Sequence, residues 1–456
     1  MRRLRRGGRY RRRLRLIPAD QQVFSSTPVT GERDPRRPFG RRVLLIAPPT
    51  SYRISAYFQA ALRLGIDLVV ASAGRHSLIP EIASGISIDL DAPQSAIEVL
   101  TAAARRAPFH AVIATDDATV ELASQVATRL GLPHNSPHAA RIARRKDLAR
   151  EALASAGLPV PDFRRIDLTN DPESQIRGLG FPLVLKPLAL SGSRGVIRVD
   201  DPVQLADACR RIAPLIRDAK NDEERRFILA ERFLPGEEFA VEGMLVNGEL
   251  ELLAIFDKPE PLNGPYFEET YYLTPSRSGD KVQAAIARRV EEACRAYGLE
   301  QGPVHAELRL VNGEPYMLEI AARTIGGDCA RLLSFGSGAG LEDIVLGHAV
   351  GAPVKAVPAS GAAGVLMIPV PGAGVLRRVE GVLAARRVPA VEDVVIAIRE
   401  GYELVPLPEG GSYLGFIFAS AKTPAEVETA LRAAHACLKF VLAPVWRLEP
   451  APARNA

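Results

Sequence analysis

Apolar and polar positions fall into two rhythms along this chain. RVLLIAP (Arg42–Pro48) is a short continuous apolar run and reads as a buried strand. A helical pattern follows, roughly Tyr52–Leu64, and stops at Gly65. IDLVVAS gives a second strand, and AVIATDDATVELASQVATRLGL gives another strand and then a helix. This β-α-β alternation predicts a small parallel sheet. Ser136 is placed to cap a helix in SPHAARIARRKDLAREALASAG, and Gly157 ends that helix or a second one, because Pro159 and Pro161 forbid continuation.

From FPLVLKP (Phe181–Pro187) the pattern becomes strand-like. The loop LALSGSRG leads into VIRVDD, and a helix is expected at roughly Pro202–Ile212. FILAERFL, EEFAVEGMLV and ELELLAIFD read as antiparallel strands, with Asn247–Gly248 turning between the last two. A helix at Asp280–Tyr297 precedes the hairpin VHAELRLVNGEPYMLEI. After about Ala352, strands such as GVLMIPV and YLGFIFAS alternate with a helix near Pro424–Phe440. The expectation is a multidomain α/β and α+β chain: an Arg-rich disordered tail over 1–40, a parallel α/β domain over 41–135, two central subdomains over 136–230 and 231–351, and a separate C-terminal α+β domain over 352–456.

Composition changes this picture in one respect. The 456 residues are 47% apolar and 24% charged, ordinary for a soluble globular protein of about three domains. The net charge of +5 is not a property of the fold. Residues 1–16 hold nine arginines and no acid, and taking those from +5 leaves −4 for the remainder. Such a tail fits nucleic acid, an anionic membrane or a transit peptide. A disordered tail, or one produced by an upstream start codon, is preferred. No apolar h-region follows its twin arginines and no run of about 18 apolar residues occurs, so export and a membrane span are not expected. Cys209, Cys294, Cys329 and Cys437 are far apart, which indicates buried thiols in a reducing cytoplasm rather than a metal or disulfide framework.

The hairpin carries the candidate chemistry. A two-residue Asn312–Gly313 loop pairs Val311 with Glu314, places Glu307 opposite Leu318, and turns Glu319 to the other face. A three-residue loop with Gly313 in a G1 bulge puts Glu307 and Glu319 on one face, and is preferred. Two carboxylates so placed repel unless a cation or proton lies between them, and a hard divalent ion is the simplest answer. Spacing alone does not separate this from a solvated hairpin face. Lys186 ends a buried-strand pattern, where an ammonium needs an anion or water. Ser191-Gly192-Ser193-Arg194-Gly195 offers backbone N–H groups and hydroxyls to phosphate. No G-x-G-x-x-G follows the first strand, which weakens a dinucleotide reading.

Taken in order, Lys146, VLKP, SGSRG, AERFLPGEEF and HAELRL…MLEIAAR resemble the ATP-grasp ligases, from about Arg42 to Gly351. Within them the chain looks most like the bacterial L-amino acid ligases, which join two amino acids, and GVLMIPVPGAG and GSYLGFIFAS resemble their C-terminal domain. The resemblance implies an ATP-grasp fold. It implies that Lys146 and Lys186 bind ATP phosphates under a loop of Ser191, Gly192, Ser193 and Gly195. Glu231, Phe233 and Leu234 would form the adenine hinge, and Glu238 would bind ribose. Glu307 and Glu319 would hold Mg²⁺ or Mn²⁺, and Arg323 would steady the reacting acyl group. FEETYYLTPS would be a substrate loop; by their charge, its acids Glu268 and Glu269 are candidates to bind a substrate ammonium, with a solvated loop position as the alternative for either. Two positions depart from the family's pattern: Ala321 stands where many relatives have Asn, and Tyr272 where amino acid ligases often have His. His305 is expected in a structural hydrogen bond.

The expected activity is a cytoplasmic, ADP-forming carboxylate–amine ligase acting on small molecules, amino acids by resemblance, with a homodimer left open. The alternatives are a ligase for a different carboxylate, and a non-catalytic ATP-binding regulator tethered to RNA by the tail. The intact glutamates, lysines and Arg323 argue against the last.

Overall fold

The computed structural model describes residues 40–74, 84–333, 339–354 and 360–445. The Arg-rich segment, and with it the readings of disorder and of nucleic-acid binding, lies outside the described residues.

The first sheet is formed by β1 (Arg41–Ile46), β2 (Ile66–Ser72), β3 (Ser84–Ser87) and β4 (Ala111–Ala114), parallel throughout and ordered β3-β2-β1-β4. Val43, Leu44, Leu45 and Ile46 are all fully buried, as a strand covered on both faces requires. Gly65 ends the helix Ile54–Leu64 in the left-handed conformation expected of it. The strand order reverses between β1 and β4, and the loops at their carboxyl ends, Thr50–Arg53 and Asp116–Ala118, open onto one cavity. Such a switch point is where open α/β sheets bind ligands.

The second sheet contains β5 (Phe163–Asp167), β6 (Leu183–Pro187), β7 (Ile197–Val199) and β8 (Phe227–Arg232), ordered β5-β8-β6-β7 and antiparallel. FILAERFL therefore belongs here and does not pair with the strands that follow it. Ser136 caps a helix as expected, accepting the Ala139 N–H at 3.1 Å. The segment is two helices, Pro137–Arg144 and Lys146–Ser155, broken at Arg145, whose buried guanidinium pairs with Asp147.

The third sheet takes β9 (Glu237–Val246), β10 (Glu249–Lys258), β11 (Tyr271–Thr274), β12 (Gly302–Val311), β13 (Glu314–Ala321) and β14 (Ala362–Ile368). Beyond them, β15 (Gly374–Glu380), β17 (Glu403–Leu404) and β19 (Lys439–Ala443) make a small separate sheet, while β16 (Val391–Ile396) and β18 (Gly415–Ala421) extend the large one. Its order is β13-β12-β9-β10-β11-β14-β18-β16. The C-terminal α+β region is thus present, but it does not stand apart: its first strand pairs with β11, from the segment expected to be a substrate loop.

Side chains of the large sheet alternate between two environments. Phe239, Val241, Ile255, Leu308, Met317 and Ile320 pack with the helix Asp280–Tyr297. On the opposite face, Ala240, Met244 and Phe256 join a core shared with the helices Ile54–Leu64 and Leu341–Ala349, which are tied by the Arg63–Asp343 ion pair. His305, Glu307, Arg309 and Glu319 of the hairpin lie on this second face.

The entry into β9 depends on Gly236, whose φ is +120° and whose absent Cβ would lie 2.2 Å from the Leu310 carbonyl oxygen. Gly236→Ala is expected to destabilise the protein by about 2 kcal/mol or more. Gly372→Ala, with open space and ordinary φ, is the control, and urea unfolding compares them.

Candidate active site

Asn312 and Gly313 both have positive φ, 51° and 84°, and Val311 pairs with Glu314. This is the two-residue type I′ geometry, to which Asn-Gly is suited. The expected three-residue loop is therefore incorrect, yet Glu307 and Glu319 do share a face. The register slips by one between Glu307 and Leu308: Leu308 pairs with Met317, Glu307 pairs with Glu319, and Leu318 is the extra residue. The bulge lies in the strand, not in the turn.

Cross-strand rows on this face run beneath a cavity of about 480 Å³ lined from the first, second and third sheets. In one row stand Arg309, Glu238 and Lys258; in the next, Glu319, Glu307, Ala240 and Phe256; in a third, Ala321, His305, Glu242 and Ala254. Lys258 Nζ lies 2.7 Å from Glu238, 2.7 Å from Glu269 and 3.5 Å from Glu307. Burial would lower this lysine, but Glu238, Glu269 and Glu307 hold it well above the ordinary lysine range. Burial also works against ionised Glu307, yet Lys258 and His305 keep it well below the usual carboxylate range. Glu269 is pushed up to about 7 by burial and by the charge of Glu307. The Tyr272 hydroxyl lies 2.9 Å from a Glu269 oxygen and 3.2 Å from one of Glu307. His305 sits between Glu242, at 3.1 Å, and Glu307, at 3.5 Å. Its burial opposes the charge, but those two acids hold it up at about 9.

The lysines named from sequence meet here. Lys146 Nζ lies 3.0 Å from Glu319 Oε2 and donates to the Leu190 carbonyl at 2.9 Å. Lys186 donates to Glu231 at 2.6 Å, and burial lowers its pKa despite that partner. Ser191, Gly192 and Ser193 line the cavity. Gly195 does not; its N–H donates to the Pro408 carbonyl at 2.8 Å. Phe233, Leu234, Leu262 and Phe267 make an apolar wall nearby. Arg323 reaches in from beyond β13 and is held by Asp117 at 2.9 and 2.8 Å.

Three of the named acids have partners that the sequence did not show. Glu231 lines the cavity beside Phe233 and Leu234, with its carboxylate buried between Arg150, at 2.6 Å, and Lys186. Glu238, expected at ribose, lines the cavity, and its carboxylate is held by Lys258 and Arg309. Glu268 lies outside the cavity's lining and accepts the Val370 N–H at 3.2 Å, whereas Glu269 lines the cavity. Sequence reasoning missed Lys258, Asp117 and Arg150. The first carried the signal used for Lys186, a lysine closing an apolar strand; the other two carried none.

The residues fit a nucleotide with a divalent ion. Glu307 and Glu319 present an oxygen-only donor pair, suited to Mg²⁺ or Mn²⁺. Lys146 and Lys258 flank the pair, one ammonium beside each carboxylate. A second acidic group, Glu238, Glu269 and Glu307, has ligand atoms within 4.8 Å of one another, and Lys258 neutralises it.

Comparison with known proteins agrees with this architecture. The family model described as "ATP-grasp domain" matches residues 179–331, "ATP-grasp N-terminal domain" matches 58–134, and "L-amino acid ligase C-terminal domain 2" matches 366–443. The chain is 27% identical over 249 residues to alanine–anticapsin ligase of Bacillus subtilis (strain 168), covering 51% of this chain and 52% of that protein. It is 30% identical over 238 residues to dapdiamide A synthase of Enterobacter agglomerans, covering 51% and 54%. The match thus spans about half the length of these curated relatives. The L-amino acid ligase structure from Bacillus licheniformis superposes with a TM-score of 0.74 at 26% identity, over 89% of this chain and 100% of that one. The fold is ATP-grasp, with an N-terminal parallel α/β domain and a C-terminal α+β region. No helix among the described residues is long and apolar enough to cross a membrane.

Glu231 yields a stability test. Burial would raise it, but Arg150 and Lys186 hold it at about 2 against the ordinary 4.5. Its contribution is therefore present above pH 4.5 and is lost as pH falls towards 2. Glu231→Gln is expected to destabilise by about 3–5 kcal/mol at pH 7, because two buried cations lose their counter-charge. The gap from wild type should close on acidification, as read by urea midpoints across pH.

Proposed function

We propose that this chain, an ATP-grasp protein related to the L-amino acid ligases, is an ATP-dependent carboxylate–amine ligase acting on amino acids. The observation that carries the reading is one cavity holding Lys146, Lys186, the Ser191–Ser193 backbone, the Glu307–Glu319 pair and Arg323.

The chemistry follows from charge. A substrate carboxylate attacks the γ-phosphorus of ATP and releases ADP, leaving an acyl phosphate; an amine then attacks the acyl carbon and releases phosphate, leaving an amide. Phosphoryl transfer asks chiefly for positioning and neutralisation. Lys146 and Lys186 would take phosphate oxygens under the Ser191–Ser193 loop, and the apolar wall at Phe233 and Leu234 would receive the base. Glu307 and Glu319 would hold Mg²⁺, which supplies charge neutralisation to the phosphates when bound. Arg323 carries three donated hydrogen bonds, two to Asp117 and one to the Thr324 carbonyl, so two of its five N–H bonds remain for an oxyanion at the acyl carbon. Glu269, with its raised pKa, and Tyr272 stand beside the reacting centre, where an ammonium substrate would meet them.

The test is ADP release across a panel of carboxylates and amines, with products identified by mass spectrometry. Mg²⁺-dependent ADP release is expected only with an amino acid pair, and a dipeptide should accumulate. Turnover with a different carboxylate would reassign the substrate, and tight ATP binding without turnover on any pair would overturn the enzyme reading. Glu319→Ala should abolish ADP release. Arg323→Lys should lower kcat by about 10²–10³-fold with little change in the KM for ATP.

A further inference from the structure

We propose that Arg150 is a positioning residue for the Glu307–Glu319 pair, holding through the Leu318 carbonyl the bulge that turns Glu319 towards Glu307. The inference rests on reading that pair as the metal-holding carboxylates.

The geometry makes the bulge necessary. A two-residue turn that pairs Val311 with Glu314, continued without interruption, sets Glu307 opposite Leu318. Side chains alternate along a strand, so Glu319 would then point to the face of Leu308, Met317 and Ile320. That face is packed apolar core against the helix Asp280–Tyr297. One extra residue reverses the outcome, and the structure inserts it at Leu318. The bulge frees a carbonyl from the regular ladder, and such a group inside a protein needs a donor.

Arg150 is that donor. Its Nη2 donates to the Leu318 carbonyl at 3.0 Å, and the side chain is 2% exposed. The same guanidinium lies 2.6 Å from Glu231 through Nε and 3.3 Å through Nη2. Glu231 in turn accepts from Lys186 at 2.6 Å. Lys146 stands one helical turn before Arg150 on the helix Lys146–Ser155, and its Nζ meets Glu319. Residues four apart share a helix face, so one face grips consecutive residues of the bulged strand, the carbonyl of Leu318 and the carboxylate of Glu319. Arg150 lies outside the cavity's lining and acts through its neighbours. A lysine can balance Glu231 but lacks the planar fork that serves Glu231 and the carbonyl together.

The experiment measures Mn²⁺ affinity by electron paramagnetic resonance with saturating ADP and no substrate, on full-length protein. Arg150→Lys is expected to weaken Mn²⁺ by about tenfold, as loss of a group supporting a metal ligand does, while metal-free ADP binding stays within about twofold. Deleting Leu318 makes the ladder regular with Glu307 already opposite Glu319. In the Arg150→Lys background that deletion should therefore restore wild-type Mn²⁺ affinity. Wild-type affinity in folded Arg150→Lys overturns the proposal, and so does weak binding in the double variant. If Arg150→Lys alone cannot be purified, the double variant decides by the same criterion. Glu319→Gln separates the two levels: unchanged Mn²⁺ affinity there sinks the metal reading itself, whereas loss there beside wild-type affinity in Arg150→Lys sinks only the positioning role.

Discussion

Charge compensation inside a partly buried cleft governs this molecule. The floor of the cavity carries Glu238, Glu269, Glu307 and Glu319, with the fully buried Glu242 in the next row, and carboxylates so close in a low-dielectric site repel strongly unless each meets a fixed cation. The structure supplies Lys258 to three of them, His305 to Glu242 and Glu307, Arg309 to Glu238 and Lys146 to Glu319. Below this layer Glu231 separates Arg150 from Lys186. The alternation of sign sets the protonation states, and it holds the side chains where a phosphate-bearing ligand would exchange partners with them.

The same compensation joins the parts of the chain. Asp117, at the start of a helix of the parallel domain, grips Arg323. Arg53, held by Asp116 of the same domain, reaches from it to the Ile325 carbonyl. On the far side, the Pro408 carbonyl takes the Gly195 N–H, and Glu409 pairs with Arg211 behind the glycine-rich loop. The cavity is a joint product of the parallel sheet, the two antiparallel sheets and the C-terminal region. An apolar core running from Val43 through Phe256 to Phe416 fixes their relative positions.

Much of this was legible in the residues. Buried runs and glycine stops located the parallel sheet, and the motifs around Lys146, Lys186, Ser191–Gly195 and the hairpin pointed to one nucleotide site. Legibility failed where a position's environment comes from distant chain. Glu231 was legible as part of a strand running into a turn, but not as the buried partner of Arg150, 81 residues away. Glu268 and Glu269 are neighbours in one segment, and only the pairing of β11 with β10 and β14 sends one to Val370 and the other to Lys258. FILAERFL and EEFAVEGMLV are both strands, but nothing local says that they belong to different sheets.

The hairpin divides the two kinds of information. Its sequence determined the Asn312–Gly313 turn, because Asn and Gly accept the two positive φ angles that a tight hairpin demands. It also determined that two glutamates would sit near each other on adjacent strands. It did not determine that they face the same way, since the turn it encodes, left to a regular ladder, sends Glu319 into apolar packing. Tertiary structure decided that through a one-residue bulge whose carbonyl is met by an arginine from another element. A strand's register is local, but the energy that stabilises a break in it comes from whatever the fold brings to the freed polar group.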